Sequence, residues 1–220
     1  MKNKIFAFLI VSALIIPTLL SCNANKETIL LYQGHASLRI TSKDGFVIYV
    51  DPYAGEGYDV PADIILVTHD HFDHNMINLP AKRDSCIIIT EKEALVGSEY
   101  KSFSKKGIEI EAVKAFHNSE YCVGYLITVD GFTIYVAGDT SRTNQMETLA
   151  ELEIDYAFFP CDGKYTMSAQ KAAECAEIVG AKHNIPYHTS LSGFSRTIAE
   201  SFDAPNRLIL EPGEEITLEH

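Results

Sequence analysis

Six consecutive residues, His69-Asp70-His71-Phe72-Asp73-His74, follow directly on the apolar run 64–68 and hold three of the chain's 8 histidines. A continuous apolar run of that length predicts a strand covered on both faces, so the polar hexapeptide is the loop at its end. His69 and His71, two apart in extended backbone, can aim their imidazoles to one side. Asp73 and His74 lie past the bend and can face a second point nearby. One loop can thus serve two metals. Nitrogen and oxygen donors without cysteine suit zinc, with manganese or iron as alternatives, and hydrolytic ion pairs stand about 3.5 to 4 Å apart. A solvated histidine-rich loop is the plain alternative, and this density and spacing weigh against it.

Around that loop the chain alternates strand signals with few helices. Strands are expected at 28–32, Ser37–Thr41, 46–51, 64–68, 86–90, 108–116, 121–129, 132–137, Tyr156–Pro160 and 184–187. Asp44-Gly45 and Asp130-Gly131 mark two hairpin turns. Helices are expected at 144–152 and 168–179, the second with Ala172, Ala173, Ala176 and Val179 along one side and Ser168 as its N-cap. Strands early, mixed elements late and no long linker predict one α/β body with two β-rich halves.

Charge narrows the partners. The formal net charge of -12 opposes nucleic acid, whose binding draws on Lys and Arg at the phosphates. Lys2 and Lys4, the apolar run 5–16 and Ser21-Cys22 read as a secretory signal, too short to span a membrane comfortably. Leu19-Leu20-Ser21-Cys22 resembles a bacterial lipoprotein cleavage box. The expected organisation is therefore a signal peptide at 1–21, a tether at 22–26 and one domain at 27–220, held outside the cytoplasm and touching the membrane through a lipid on Cys22 alone. Cys86, Cys122, Cys161 and Cys175 have no C-x-x-C spacing and are expected to be buried free thiols, with disulfides as the alternative an oxidising compartment would permit. Leu218 to His220 has the look of a vector scar, so His220 is given no role.

The hexapeptide matches in full the HxHxDH signature, and the chain resembles the metallo-β-lactamase-fold hydrolases. The match continues in order with His117 in Ala115-Phe116-His117-Asn118, Asp139 in Ala137-Gly138-Asp139-Thr140 and His188 in Ile185-Pro186-Tyr187-His188. Gly34-His35-Ala36, Gly163-Lys164-Tyr165-Thr166-Met167 and Glu211-Pro212-Gly213-Glu214 are most similar to the branch containing ascorbate-phosphate lactonase. The resemblance implies a four-layer αββα sandwich with a metal site at one rim. It implies one divalent ion on His69, His71 and His117, a second on Asp73, His74 and His188, and Asp139 bridging them. Each of the three distant residues also stands where an expected strand ends, the usual place for functional groups.

A metal-bridging hydroxide is the expected nucleophile, attacking a small and possibly anionic ester, lactone or phosphoester, with His69, His71, Asp73 and Asp139 carrying the chemistry. Asp73 can orient that hydroxide or pass its proton to the leaving group. Asp51, in Tyr49-Val50-Asp51-Pro52, is a candidate acceptor behind a ligand histidine. His35, Asp162, Lys164 and Tyr165 are candidate supporting or pocket residues, and Arg142 is a candidate anion partner. His183 matches no ligand position. Asp139 argues against a typical β-lactamase. The competing readings are a phosphodiesterase on phospholipid- or nucleotide-derived substrates and a non-catalytic surface lipoprotein that binds metal or ligand. No sequence signal bears on oligomeric state.

Overall fold

The computed structural model describes residues 27–119, 121–191 and 193–220. The signal peptide and tether expected at 1–26 lie outside the described residues. Fourteen strands are formed among the described residues: β1 Ile29–Gly34, β2 Ser37–Thr41, β3 Val47–Val50, β4 Ala62–Leu66, β5 Lys82–Ile89, β6 Leu95–Val96, β7 Glu99–Tyr100, β8 Ser102–Lys105, β9 Ile108–Lys114, β10 Val123–Val129, β11 Phe132–Val136, β12 Tyr156–Pro160, β13 His183–Tyr187 and β14 Glu214–Thr217. The helices are α1 Glu91–Ala94, α2 Met146–Leu149, α3 Ala169–Val179 and α4 Arg196–Ser201.

Twelve strands form two sheets of the same design. One runs β14-β1-β2-β3-β4-β5, antiparallel as far as β3 and parallel from β3 to β5. The other runs β13-β12-β11-β10-β9-β8, parallel from β13 to β11 and antiparallel beyond. Strand alternation decides which side chains meet. In β10, Val123, Tyr125, Ile127 and Val129 enter the core shared with Leu38, Ile48, Ile64 and Leu66 of the first sheet, while Leu126 faces outward. Tyr156 and Phe158 of β12 point inward, and Ala157 and Phe159 point out beneath α2 and α3. Each large aliphatic or aromatic side chain so buried contributes roughly 1.5–3 kcal/mol.

The α3 helix begins at Ser168, whose hydroxyl accepts from the Lys171 amide, and stops at Gly180 in the left-handed conformation. Its Ala172, Ala173, Ala176 and Val179 cover the second sheet. The outer face of the first sheet is covered by loop residues Tyr58, Val60 and Ile77 over Val47, Tyr49, Ala62 and Ile65. The αββα layering is therefore thinner on that side. Among the described residues, no helix is long and apolar enough to cross a membrane.

Several boundaries depart from expectation. The helix expected at 144–152 is a four-residue turn of α-helix followed by a 3-10 turn at Ala150–Leu152. Gln145 at its start supplies no side-chain cap, because its Oε1 accepts the Lys114 amide at 2.7 Å instead. β9 ends at Lys114 rather than 116, which frees the chain to turn toward the site. β14, β8 and α4 were not expected. The four cysteines 86, 122, 161 and 175 are free, with Cys86 half-buried and the others buried. Leu218 is buried in the core, and His220 stacks on Phe132 at 4.2 Å.

Candidate metal centre

The two sheets meet at the end of β4. The Val123 amide donates to the Thr68 carbonyl at 2.9 Å, Tyr125 donates its hydroxyl to the Val67 carbonyl at 2.8 Å, and His69 bridges to Cys122. The hexapeptide is thus stitched to the second sheet at its root. Its bend is closed by the His74 and Asn75 amides, both donating to the His71 carbonyl. His117 follows β9, Asp139 follows β11 and His188 follows β13. Gly138 is required before Asp139, since its φ is +67° and a Cβ there would lie 2.8 Å from the Val123 carbonyl oxygen.

Three non-glycine residues with left-handed backbone surround the same point: His35 at φ 51°, Asp51 at 45° and His188 at 46°. All three are buried. Such conformations cost on the order of 1–3 kcal/mol each and persist where surroundings hold them. Here the His188 amide donates to the His35 carbonyl at 2.8 Å, and their rings lie 3.8 Å apart.

The side chains converge in overlapping groups. His69, His71 and His117 bring donor atoms within 4.8 Å of one another, as do His35, Asp73, His74 and His188, and as do His69, His74 and Asp139. Asp139 Oδ2 stands 3.8 Å from His117 Nε2, 3.6 Å from His74 Nε2 and 3.5 Å from His188 Nε2. One carboxylate therefore faces both histidine groups. His35 Nε2 lies 3.1 Å from Asp73 Oδ2.

Behind these atoms stand carboxylates. Asp51 Oδ2 is 2.8 Å from His74 Nδ1 and also accepts the Thr68 hydroxyl at 2.7 Å, while its Oδ1 accepts the Thr68 amide. Thr68 Oγ1 in turn is 3.1 Å from His69 Nδ1. Asp162 Oδ2 stands 3.4 Å from His188 Nδ1. Asp162 also accepts the amides of Lys164 and Tyr165, holding that loop over the cleft. The cleft above the cluster has a volume of ≈ 770 Å³ and is bordered by Phe72, Lys164, Tyr165 and Leu191. Arg142 does not border it; it pairs with Glu147 at 3.0 Å. His183 stacks on Tyr156 at 4.6 Å, away from the cluster.

Burial drives His69 far below the ordinary imidazole range, helped by its histidine neighbours, and takes His188 down to about 3. His117 is lowered for the same reasons. Burial also opposes charge on His74, but the Asp51 and Asp139 carboxylates outweigh it and raise that imidazole to about 9. Burial raises Asp139 to about 7. Asp73 is also raised by burial, yet the His35 hydrogen bond and the His74 charge carry it well below the usual carboxylate range.

Divalent cations fit this arrangement. His74 Nε2 and Asp139 Oδ1 are buried without a hydrogen-bond partner, a costly state for polar atoms unless they meet another ligand. Neutral imidazoles and ionised carboxylates are the donor types that zinc, manganese and iron share. The backing of His74 by Asp51 and of His188 by Asp162 is the arrangement that fixes a ligand imidazole's tautomer. Thr68 was missed in the sequence, as were the rim residues Phe72 and Leu191. Thr68 lay inside an apolar run, and nothing local marks Leu191.

Two facing mixed sheets with a histidine and carboxylate cluster at their rim define the metallo-β-lactamase class. The chain belongs to the β-lactamase superfamily domain family, whose description matches residues 29–188. A UPF0173 metal-dependent hydrolase from Geobacillus sp. (strain WCH70) is 31% identical over 227 residues, covering 85% of this chain and 98% of that protein. One from Bacillus licheniformis is 30% identical over 223 residues, covering 84% and 97%. Among solved structures, the metallo hydrolase Igni18 from Ignicoccus hospitalis superposes with a TM-score of 0.69 at 22% identity, covering 88% of this chain and 99% of that one. At that identity the likeness concerns the fold.

Proposed function

We propose that this chain is a binuclear metal-dependent hydrolase acting on small esters, lactones or phosphoesters. The observation that carries the proposal is the position of Asp139 Oδ2, 3.5 to 3.8 Å from histidines of both groups. One ion fits His69, His71 and His117; the other fits Asp73, His74 and His188. His35 is close enough to the second group to hold Asp73 in place. Family membership and relatives named as metal-dependent hydrolases support the same reading. Zinc is the first candidate, with manganese or iron as alternatives.

Divalent ions bound there would supply an acidified water and a Lewis acid for a carbonyl or phosphoryl oxygen. The protein's own groups do the rest. Asp73 is partly exposed and ionised, so it can accept a hydrogen bond from water in the cleft and orient it. Asp51 and Asp162 hold His74 and His188 by their outer nitrogens, leaving both Nε2 atoms turned toward Asp139. Lys164 forms no ion pair among the described residues and offers a cation to an anionic substrate at the mouth.

Elemental analysis of the purified chain and of Asp139→Ala, followed by an ester, lactone and phosphodiester screen with metal restored, tests this. The expected result is close to two ions in the parent, fewer in the variant, and turnover in the parent alone. Full metal content and full activity in Asp139→Ala would refute the bridging role. Turnover of phosphodiesters without esters or lactones would favour the phosphodiesterase reading. On the sequence alone, we also propose lipidation at Cys22; labelled palmitate should enter the parent and not Cys22→Ser, and a parent that takes up no label would refute it.

A further inference from the structure

We propose that the cleft accepts substrates carrying an apolar arm, a medium-chain alkyl or aryl group, which lies against Phe72, Tyr165 and Leu191 while the reacting group meets the cluster. This deepens the hydrolase reading and rests on it. Of the three most exposed large hydrophobic residues among those described, Phe72 at 74% and Tyr165 at 61% border the cleft, while Phe116 at 67% is outside its lining. Phe72 stands between His71 and Asp73, Phe116 immediately precedes His117, and Tyr165 is in the loop held by Asp162. Leu191, 44% exposed, borders the cleft beyond His188.

Exposed aromatic side chains contribute little to folding, since the gain comes from removing apolar surface from water. Clustered at one opening, they mark a surface that is completed by a ligand. The Phe72 side chain and the Tyr165 backbone are held in position. The Phe72 bend is closed onto the His71 carbonyl, its ring meets Tyr53 edge-on at 5.7 Å, and the Tyr165 amide donates to Asp162 at 2.8 Å. A ready-made apolar border loses little conformational entropy on binding. The space is ample. At roughly 30 Å³ per water, a cleft of ≈ 770 Å³ is far larger than two ions and their waters require.

Straight-chain carboxylates from acetate to octanoate, titrated by calorimetry into the zinc-loaded full chain, test the proposal without requiring turnover. Affinity is expected to rise about two- to fourfold per methylene, within the range for burying each CH₂. In Phe72→Ser and Leu191→Ser the increment should shrink, read on preparations matched to the parent in zinc content. A flat series in the parent, including one in which no member binds, overturns the proposal; so does a rising series that neither variant alters. The hydrolase reading is read separately, from zinc content and turnover in the ester, lactone and phosphodiester screen. No turnover across the whole ester, lactone and phosphodiester screen alongside a rising affinity series would remove the enzyme and leave the apolar subsite.

Discussion

His74 Nδ1 lies 2.8 Å from Asp51 Oδ2, and both side chains are fully buried. Two carboxylate oxygens thereby serve one imidazole and both polar groups of Thr68. In Asp51→Asn, the amide no longer supplies the charge that fixes the histidine tautomer, and metal affinity should fall about 10–100-fold. The weakened bonds to Thr68 should cost about 1–3 kcal/mol of stability. Chelator competition and thermal unfolding measure the two effects. Unchanged metal affinity would show that Asp51 serves the backbone alone.

Asp162 links the cluster to the cleft. Its Oδ2 faces His188 Nδ1 at 3.4 Å, and its Oδ1 accepts the Lys164 amide at 2.6 Å and that of Tyr165 at 2.8 Å. Asp162→Ala should therefore weaken metal binding by about tenfold and raise KM together. Chelator competition and steady-state kinetics on the same preparation separate the two. A higher KM with metal affinity intact would confine Asp162 to the loop.

Metal uptake should expel protons. In the metal-free chain His74 is raised to about 9 and Asp139 to about 7. Ligand imidazoles must be neutral, so zinc binding at pH 7.5 should release about one proton from His74, and affinity should climb toward pH 9. An imidazole whose folded pKa lies above its unfolded value of about 6.5 stabilises the metal-free fold fully below that pH and ceases to do so as pH rises through the folded value. The chelated chain should thus lose stability between about pH 6.5 and 9. Calorimetry in buffers of different ionisation enthalpy reads the proton count. Zinc binding with no proton release would contradict it.

Much of this was legible in the sequence because the chemistry is local. The hexapeptide carries its ligands within one bend, and β10, β11 and β12 are apolar runs of strand length, the first two set off by the Asp130-Gly131 turn. His117, Asp139 and His188 could be placed because the family resemblance supplies them in order, and each also follows the end of a strand. What escaped depends on distant contact. β14 is an edge strand of sequence Glu-Glu-Ile-Thr, partly exposed, and only pairing with β1 makes it a strand. Asp162 was legible only as a supporting or pocket candidate after a strand; its place behind His188 depends on the chain bringing that imidazole over its carboxylate. The left-handed backbone at His35, Asp51 and His188 has no sequence mark, since glycine is the usual occupant.

The most direct measurement is anomalous diffraction from a crystal grown with zinc or manganese. Two peaks are predicted, one among His69, His71 and His117 and one among Asp73, His74 and His188, with Asp139 reaching both. Density for no ion among these side chains, or for ions bound only elsewhere, would contradict the account.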